Sequence, residues 1–527
     1  MKLSSSETWE VEPGELIRWL PLPGGCAASS SAPVSENERF HLDSIAQGQP
    51  GWIALTLDFP ERLDLARLGE VVSTVIARHD VLRSHYVATD AGYQRVLHGG
   101  VDVREDSHEP DAGLGPAEFA AELSGRITAA CNPFEPVPHF LAAVRRASST
   151  TLVCGFDHCY VDARSMALLS SEICDLLAGA ALAPAESGLD ALRRVAGDEA
   201  AVTPDDPRLG EWGRFLAATD WQVPEFPVDL GVPAGESVEM RTIVETLLPG
   251  DTARAFSSAV HRHGGRTYPA VLTCAAMAVK SLGGPDELAT VVPTGTGAGP
   301  GCVGWSVGNA PLRITGGDDL FAAAEINTVR LAAALPLAEI GLTPVYLAYG
   351  SRLRQRRADV FMMSYVDYTR MPRPHRDVRA EQVSSSKPTD TAQWWFWRDA
   401  DGIHVRVRHP STERAVAVLS ATIAEMRATA AAVASASASP KTPRWNSTTT
   451  IGPAATACPG PRARSGRQGG HRRQEDGRRL TALAGAHEAA HGLREEQGRG
   501  RGRGVHAHAQ AGHVHALGHH AHRHQPA

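Results

Sequence analysis

A chain of 527 residues with 43% apolar side chains has room for two or three domains and a sizeable core. From Pro440 onward Lys and Arg outnumber Asp and Glu by 14 to 5, so the formal charge of −7 hides a strongly acidic body, which argues against nucleic acid as the main partner. The eight cysteines form no CxxC pair, so neither a zinc site nor a disulfide framework is implied, and no metal or cofactor is expected.

The start, Met1 to Glu7, is polar and lacks the apolar stretch of a secretory signal. No run of about 18 apolar residues stands out as a membrane span, so a cytoplasmic protein is expected. Residues 1–50 read as loop-rich, with Trp9, Trp19 and a turn signal at Pro21-Leu22-Pro23-Gly24-Gly25. Trp52 to Phe59 reads as a strand. Leu63 to Arg78 reads as an amphipathic helix, with Leu65, Leu68, Val71, Val72, Val75 and Ile76 on one face. It runs into Arg78-His79-Asp80-Val81-Leu82-Arg83. Ser84 to Ala88 and Tyr93 to His98 form a predicted hairpin. Asn132-Pro133-Phe134-Glu135-Pro136 then precedes a strand from His139 to Val144.

Thr151 to Phe156 is an apolar run of strand length. Ser165 to Leu177 carries Leu168, Leu169, Ile173 and Leu176 at helical spacing. Between them lies Asp157-His158-Cys159-Tyr160-Val161-Asp162-Ala163. A His and an Asp four residues apart therefore sit on a strand-to-helix loop that is held rigid on both sides. An imidazole with an ordinary pKa of about 6.5 can accept a proton near neutral pH. A structural histidine and a helix-capping Asp162 fit the same residues.

Ala178 to Pro207, rich in Ala, Gly and Pro, reads as a surface crossover. A helix from Arg208 carries Trp212, Phe215 and Leu216. Asp251 is a candidate helix cap. Tyr268 to Leu282 reads as an apolar helix, and Leu288 to Pro293 as a strand. A glycine-rich loop, Thr294 to Gly301, leads to Val303-Gly304-Trp305-Ser306-Val307-Gly308-Asn309-Ala310-Pro311-Leu312-Arg313-Ile314. Phe361 to Tyr368 is a further strand. Trp394 to Trp397 and Ile403 to Arg408 make a hairpin, and Ala415 to Val433 a closing helix. From about Ser435 apolar periodicity ends, and the tail from Pro440 holds 11 of the 23 histidines; it reads as disordered.

The stretch from Asp157 to Ala163 resembles the HHxxxDG signature of the condensation-domain and acyltransferase superfamily, which shares the chloramphenicol-acetyltransferase fold. Asp157 stands at the first His of that signature, His158 at the second, Asp162 at its Asp and Ala163 at its Gly. Arg78 to Arg83 resembles the family's RHexLR motif, and Asn132 to Pro136 its short segment before the next strand. Gly304 to Arg313 resembles GWFxNxxPLR, with Ser306 in place of Phe and Asn309 one position late. Ser364-Tyr365-Val366-Asp367 resembles the SYxD segment of the polyketide-associated acyltransferases, which esterify lipids and glycolipids.

The resemblance implies an α/β fold of two chloramphenicol-acetyltransferase-like lobes, residues 1–185 and 186–435, forming a V, with a disordered tail over 436–527. A tunnel between the lobes would hold the active site. It implies that His158 acts as base while an acyl group moves from a thioester, acyl-CoA or carrier-bound, to a hydroxyl or amine acceptor. Asp162 would pair with Arg313 and shape the site, and Asp157 would support the loop. Trp305, Asn309, Ser364 and Tyr365 would line the substrate channel. A monomer without a transmembrane segment is expected. A carboxylate at Asp157 beside His158 is expected to favour the imidazolium and raise its pKa.

Two rival readings remain open at this point. Some members of the superfamily are inactive binding or interface modules, and Asp157 and Ala163 depart from the signature. Gly304 to Gly308 also matches GxSxG, the serine-hydrolase elbow, which would make Ser306 a nucleophile if a strand precedes it and a helix follows.

Overall fold

The computed structural model describes residues 1–375 and 377–438. The expected disordered tail lies outside these residues from 439 onward. In chain order the strands are β1 Lys2–Ser5, β2 Glu15–Ser29, β3 Trp52–Phe59, β4 Ser84–Thr89, β5 Gly92–Glu109, β6 His139–Arg145 and β7 Thr150–Asp157. They continue with β8 Met240–Pro249, β9 Glu287–Gly295, β10 Val307–Thr315, β11 Met363–Asp367, β12 Arg379–Ser384, β13 Gln393–Arg398 and β14 Gly402–Pro410. The helices are α1 Glu36–Ala46, α2 Leu65–Arg78, α3 Pro116–Ala130, α4 Ala163–Leu177, α5 Gly188–Ala200 and α6 Pro207–Ala218. After them come α7 Gly250–Arg262, α8 Thr267–Ser281, α9 Leu320–Ala334, α10 Thr343–Tyr349 and α11 Glu413–Ala438.

The first sheet has eight strands in the order β1-β12-β3-β7-β6-β2-β5-β4. Its central strands are buried on both faces, and their side chains alternate between two cores. On β3, Ile53, Leu55 and Leu57 join the core beneath α2 and α4, while Trp52 and Ala54 join the core beneath α3. α2 buries Leu68, Val71, Val72, Val75 and Ile76, each stabilising by about 1.5–3 kcal/mol. The second sheet runs β11-β13-β14-β8, and its Trp394, Phe396, Ile403, Val405 and Val407 pack with α7, α8 and α11. β9 and β10 form a separate antiparallel pair, linked to the second sheet by a bridge between Val291 and Met362.

The N-terminal 50 residues differ from the expected loops. β2 pairs with β6 only over residues 15–19 and with β5 along residues 16–29. Pro21 and Pro23 therefore fall where β2 has a single neighbour, and this is where a strand tolerates a missing N–H. Two register shifts, at Arg18/Trp19 and Gly24/Ala27, absorb the rest of the irregularity. α1 is started by a capping box: Ser35 Oγ accepts from Glu38 N at 3.2 Å, and Ser35 N donates to Glu38 Oε2 at 2.8 Å. Glu38 is itself sealed, accepting from Arg95 Nη2 at 2.5 Å and Tyr86 OH at 2.9 Å. Those bonds tie α1 to the β4–β5 hairpin.

Two further elements depart from the reading of the sequence. The expected crossover 178–207 contains α5, capped by Ser187. Asp251 lies in the first turn of α7, whose cap position is Pro249. Two helical stretches, Leu320–Ile340 and Glu413–Ser435, are long and apolar enough to cross a membrane by length and composition alone. Both press residues into the second core, among them Leu320, Ala324 and Leu331 from one and Leu419, Ile423 and Met426 from the other.

Candidate active site

β7 ends at Asp157, which pairs with Trp52 across the sheet. The backbone then makes one tight turn, His158–Tyr160, before Asp162 caps α4. The turn is held twice. His158 N donates to Gly51 O at 2.9 Å, and Asp157 Oδ1 accepts from Cys159 N at 2.9 Å. Tyr160 and Val161 are fully buried, so the loop cannot swing without opening the core.

The His158 ring lies against Trp305, with centroids 4.2 Å apart. Its Nδ1 is sealed from solvent without a hydrogen-bond partner. Nε2 is thus the nitrogen left to meet a reactant. Burial, followed by the nearby His41, lowers the pKa of His158 to about 4. This reverses the expected upward shift: Asp157 does favour the charged ring, but less than desolvation opposes it. At neutral pH the ring is uncharged, with a free lone pair, though a weaker base than an ordinary imidazole.

Asp157 has a partner that the motif does not contain. His41, on α1, points Nε2 between the two carboxylate oxygens, 3.0 Å from each. Because an ionised carboxylate only accepts, Nε2 carries the proton. Asp157 is fully buried, so this bond satisfies a charge that would otherwise be stranded. Gly51 makes room for it: a Cβ there would strike the His41 ring. His41 also meets Trp305 edge-on at 5.7 Å. His41, Asp157 and Cys159 place ligand-type atoms within 4.8 Å of one another. Burial pushes the Cys159 thiol pKa well up, and His41 Nε2 is already committed to the carboxylate. That chemistry favours a hydrogen-bonded cluster over a cation. The sequence signal for His41 is the capping box Ser35-Glu36-Asn37-Glu38, which starts its helix.

Asp162 joins the loop to the Gly304–Ser306 segment. Its Oδ1 accepts from Ser165 N at 2.7 Å and Ser165 Oγ at 2.8 Å, and its Oδ2 accepts from Ser306 N at 3.3 Å. Ser165 Oγ lies 2.9 Å from Gly304 O, and Arg164 Nη2 donates to Gly299 O at 2.7 Å. Asp162 is therefore a helix cap and a crosslink at once. The expected pair with Arg313 is not made. Arg313 is exposed and pairs with Glu287, because on β10 the side chains of Leu312 and Ile314 take the inward face.

Of the channel candidates, Trp305 stands at His158. Asn309 is close to the site's support: its Nδ2 donates to Asn37 Oδ1 at 2.9 Å, while Asn37 Nδ2 donates to Val307 O at 2.8 Å. Tyr365 stacks on Tyr268 at 4.8 Å against the core of the second sheet, and strand alternation puts Ser364 on the opposite face. Ser306 precedes β10 and no helix follows, so the strand-to-helix elbow of a serine hydrolase is absent. A cleft of ≈ 140 Å³ opens along α4 between Ala167, Ser170, Tyr368, Arg373, Asp399 and Asp401; His158 does not line it. The Arg78 to Arg83 motif is a fastener. Arg78 and His79 hold Glu172 of α4, and Asp80 Oδ1 accepts from Gly188 N at 2.9 Å at the start of α5.

With this geometry in view, the likenesses of the chain acquire a meaning. No family model matches it. It is 25% identical over 339 residues to 2'-acyl-2-O-sulfo-trehalose (hydroxy)phthioceranyltransferase PapA1 of Mycobacterium tuberculosis, over 60% of this chain and 65% of the relative. The chain thus spans just under two thirds of that relative's length. It is also 25% identical over 348 residues to trehalose-2-sulfate acyltransferase PapA2 of the same organism, over 60% of this chain and 72% of the relative. Among solved structures, PapA2 acyl transferase superposes with a TM-score of 0.73 at 23% identity, covering 82% of this chain and all of that one. The first condensation domain of the calcium-dependent antibiotic synthetase gives 0.60 at 16% identity, covering 77% and 97%. The fold is that of the condensation domains and of PapA2.

Proposed function

We propose that the chain is an acyltransferase that moves an acyl group from a thioester to a hydroxyl of a carbohydrate-based acceptor. The observation that carries this is the placement of the His158 ring, 4.2 Å from Trp305 on a rigid strand-to-helix turn, with Nδ1 sealed so that Nε2 is the nitrogen left for a reactant. Nε2 takes the acceptor's hydroxyl proton as the oxygen attacks the thioester carbonyl. The tetrahedral adduct then collapses, the C–S bond breaks, and the thiolate receives that proton from the imidazolium. An ester and a free thiol result, with no acyl-enzyme. General-base help of this kind is worth roughly 10²- to 10⁴-fold. The remainder comes from holding donor and acceptor together.

The names of PapA1 and PapA2 place trehalose derivatives among the substrates of those relatives, which supports a sugar hydroxyl as acceptor and glycolipid synthesis as the setting. The donor would be acyl-CoA or an acyl group on a separate carrier, reaching His158 through a tunnel between two lobes of a monomer in the cytoplasm. His41 supports an active enzyme over an inactive module, since it satisfies the carboxylate that replaces the motif's first His. The test is a panel of acyl thioesters with trehalose-type acceptors, followed by mass analysis of products for wild type and His158→Ala. Equal background rates in both would assign the chain to the inactive modules.

A further inference from the structure

The second sheet turns two arginines toward one tryptophan on the face away from its core. On β14, Val405 and Val407 enter the core, so Arg406 and Arg408 take the opposite face, and on β13 Trp395 does the same between Trp394 and Phe396. The guanidinium carbons lie 5.0 Å and 5.7 Å from the Trp395 ring centre. Arg406 is 3% exposed, and its Nε is sealed without a partner. Among the described residues neither arginine forms an ion pair; Arg406 Nη2 reaches Ser384 Oγ, and Arg408 Nε approaches Met240 Sδ at 2.8 Å. The carboxylates whose fields reach them belong to Glu7 and, for Arg408, Asp359, which is already paired with Lys387. Gln382, 8% exposed and on the same face of β12 as Ser384, also has a sealed, unpaired side-chain oxygen.

A buried guanidinium without a carboxylate in contact is costly, and the half-buried Arg408 beside it adds repulsion. Burial and Arg408 together lower the pKa of Arg406 to about 9. Such an arrangement is stabilised by a bound anion, and the planar fork of arginine matches a tetrahedral oxyanion in bidentate fashion. Ser384 pairs with Ile53, and Ile53 pairs with Phe156, two residues before His158.

We propose that Arg406, Arg408 and Trp395 form a binding site for a phosphate or sulfate monoester carried by one of the two substrates, an inference that rests on the acyl-transfer reading above. Trp395 holds the two guanidinium groups, and the ester oxygens accept hydrogen bonds from them. Two sources share this chemistry: the phosphate of a phosphopantetheine arm and the sulfate of a sulfated sugar.

Calorimetric titration of the full chain distinguishes them, using 4′-phosphopantetheine against pantetheine and a 2-sulfated disaccharide against the unsulfated one. At least one charged probe is expected to bind about tenfold more tightly than its neutral counterpart, and that pair names the source. Arg408→Gln should remove the difference, whereas Arg408→Lys should retain part of it. Arg406→Met should also remove the difference with little change in Tm, because it deletes a buried cation that has no carboxylate partner. The proposal is overturned if neither charged probe is preferred, or if Arg408→Gln keeps the preference. Turnover of a neutral acyl-pantetheine with the unsulfated acceptor should fall roughly 10²- to 10⁴-fold in His158→Ala. Failure of that control would count against the base assignment and leave the anion result to stand on its own.

Discussion

Acid is the sharpest probe of His158. An ordinary histidine is half protonated near pH 6.5. With its pKa lowered to about 4 by burial, His158 is protonated in well under about 1% of molecules at that pH. Placing a proton on the half-buried ring costs on the order of 3 kcal/mol more than it does in water. The acid limb of kcat/KM should therefore stay flat from pH 8 down to about 5 and fall tenfold per pH unit only below about 4. Initial rates at constant ionic strength, with far-UV circular dichroism in the same buffers, separate titration from unfolding. A limb with its midpoint near 6.5 in protein that is still folded would refute the assignment of a desolvated His158 as base. The same residue bears on stability, with a definite sign. His158 and His139 both have folded pKa values lowered to about 4, so the unfolded chain takes up protons first as pH falls. Their contribution is whole above about pH 6.5 and is lost as pH drops from there toward 4, which the urea midpoint will follow.

Other perturbations separate the roles of neighbouring residues. His158→Ala should lower kcat/KM by roughly 10²- to 10⁴-fold with little change in Tm. His41→Ala strands the buried Asp157 carboxylate and should cost about 3–5 kcal/mol by urea denaturation, with much of the loss restored by adding Asp157→Asn. Gly51→Ala should displace the His41 ring and weaken the same pair; unchanged stability would mean that α1 has slack there. Asp162→Ala should cost at least the ~1 kcal/mol of a lost cap, whereas Arg313→Ala breaks an exposed pair and should cost less than about 1 kcal/mol without affecting rate.

The elements nearest the motif were readable because their signals are local. β3, β7 and α4 announce themselves by burial period and length, and the strand-to-helix placement of His158 follows from them. What escaped depends on partners distant in sequence. Arg313 looked like the mate of Asp162 because the resemblance pairs them, yet β10 alternation turns it outward to Glu287. His41 had no motif to mark it, and its bond to Asp157 spans 116 residues. β2 was obscured by Pro21 and Pro23, which break a strand's pattern unless one knows that only one neighbour accompanies it there. The direction of the His158 shift also depended on how much water the fold removes, and a string of residues does not report that.

β12 gives the first sheet a peculiar history. It pairs with β3 on one side and β1 on the other, so a segment near residue 380 fills a gap left by segments made more than 300 residues earlier. While the ribosome is still working, β3 presents a bare hydrogen-bonding margin of Ile53, Leu55 and Leu57, the kind of margin that recruits other chains. Truncated or slowly translated product should accordingly be lost to aggregates, and chaperones that shield nascent edges should raise the soluble yield.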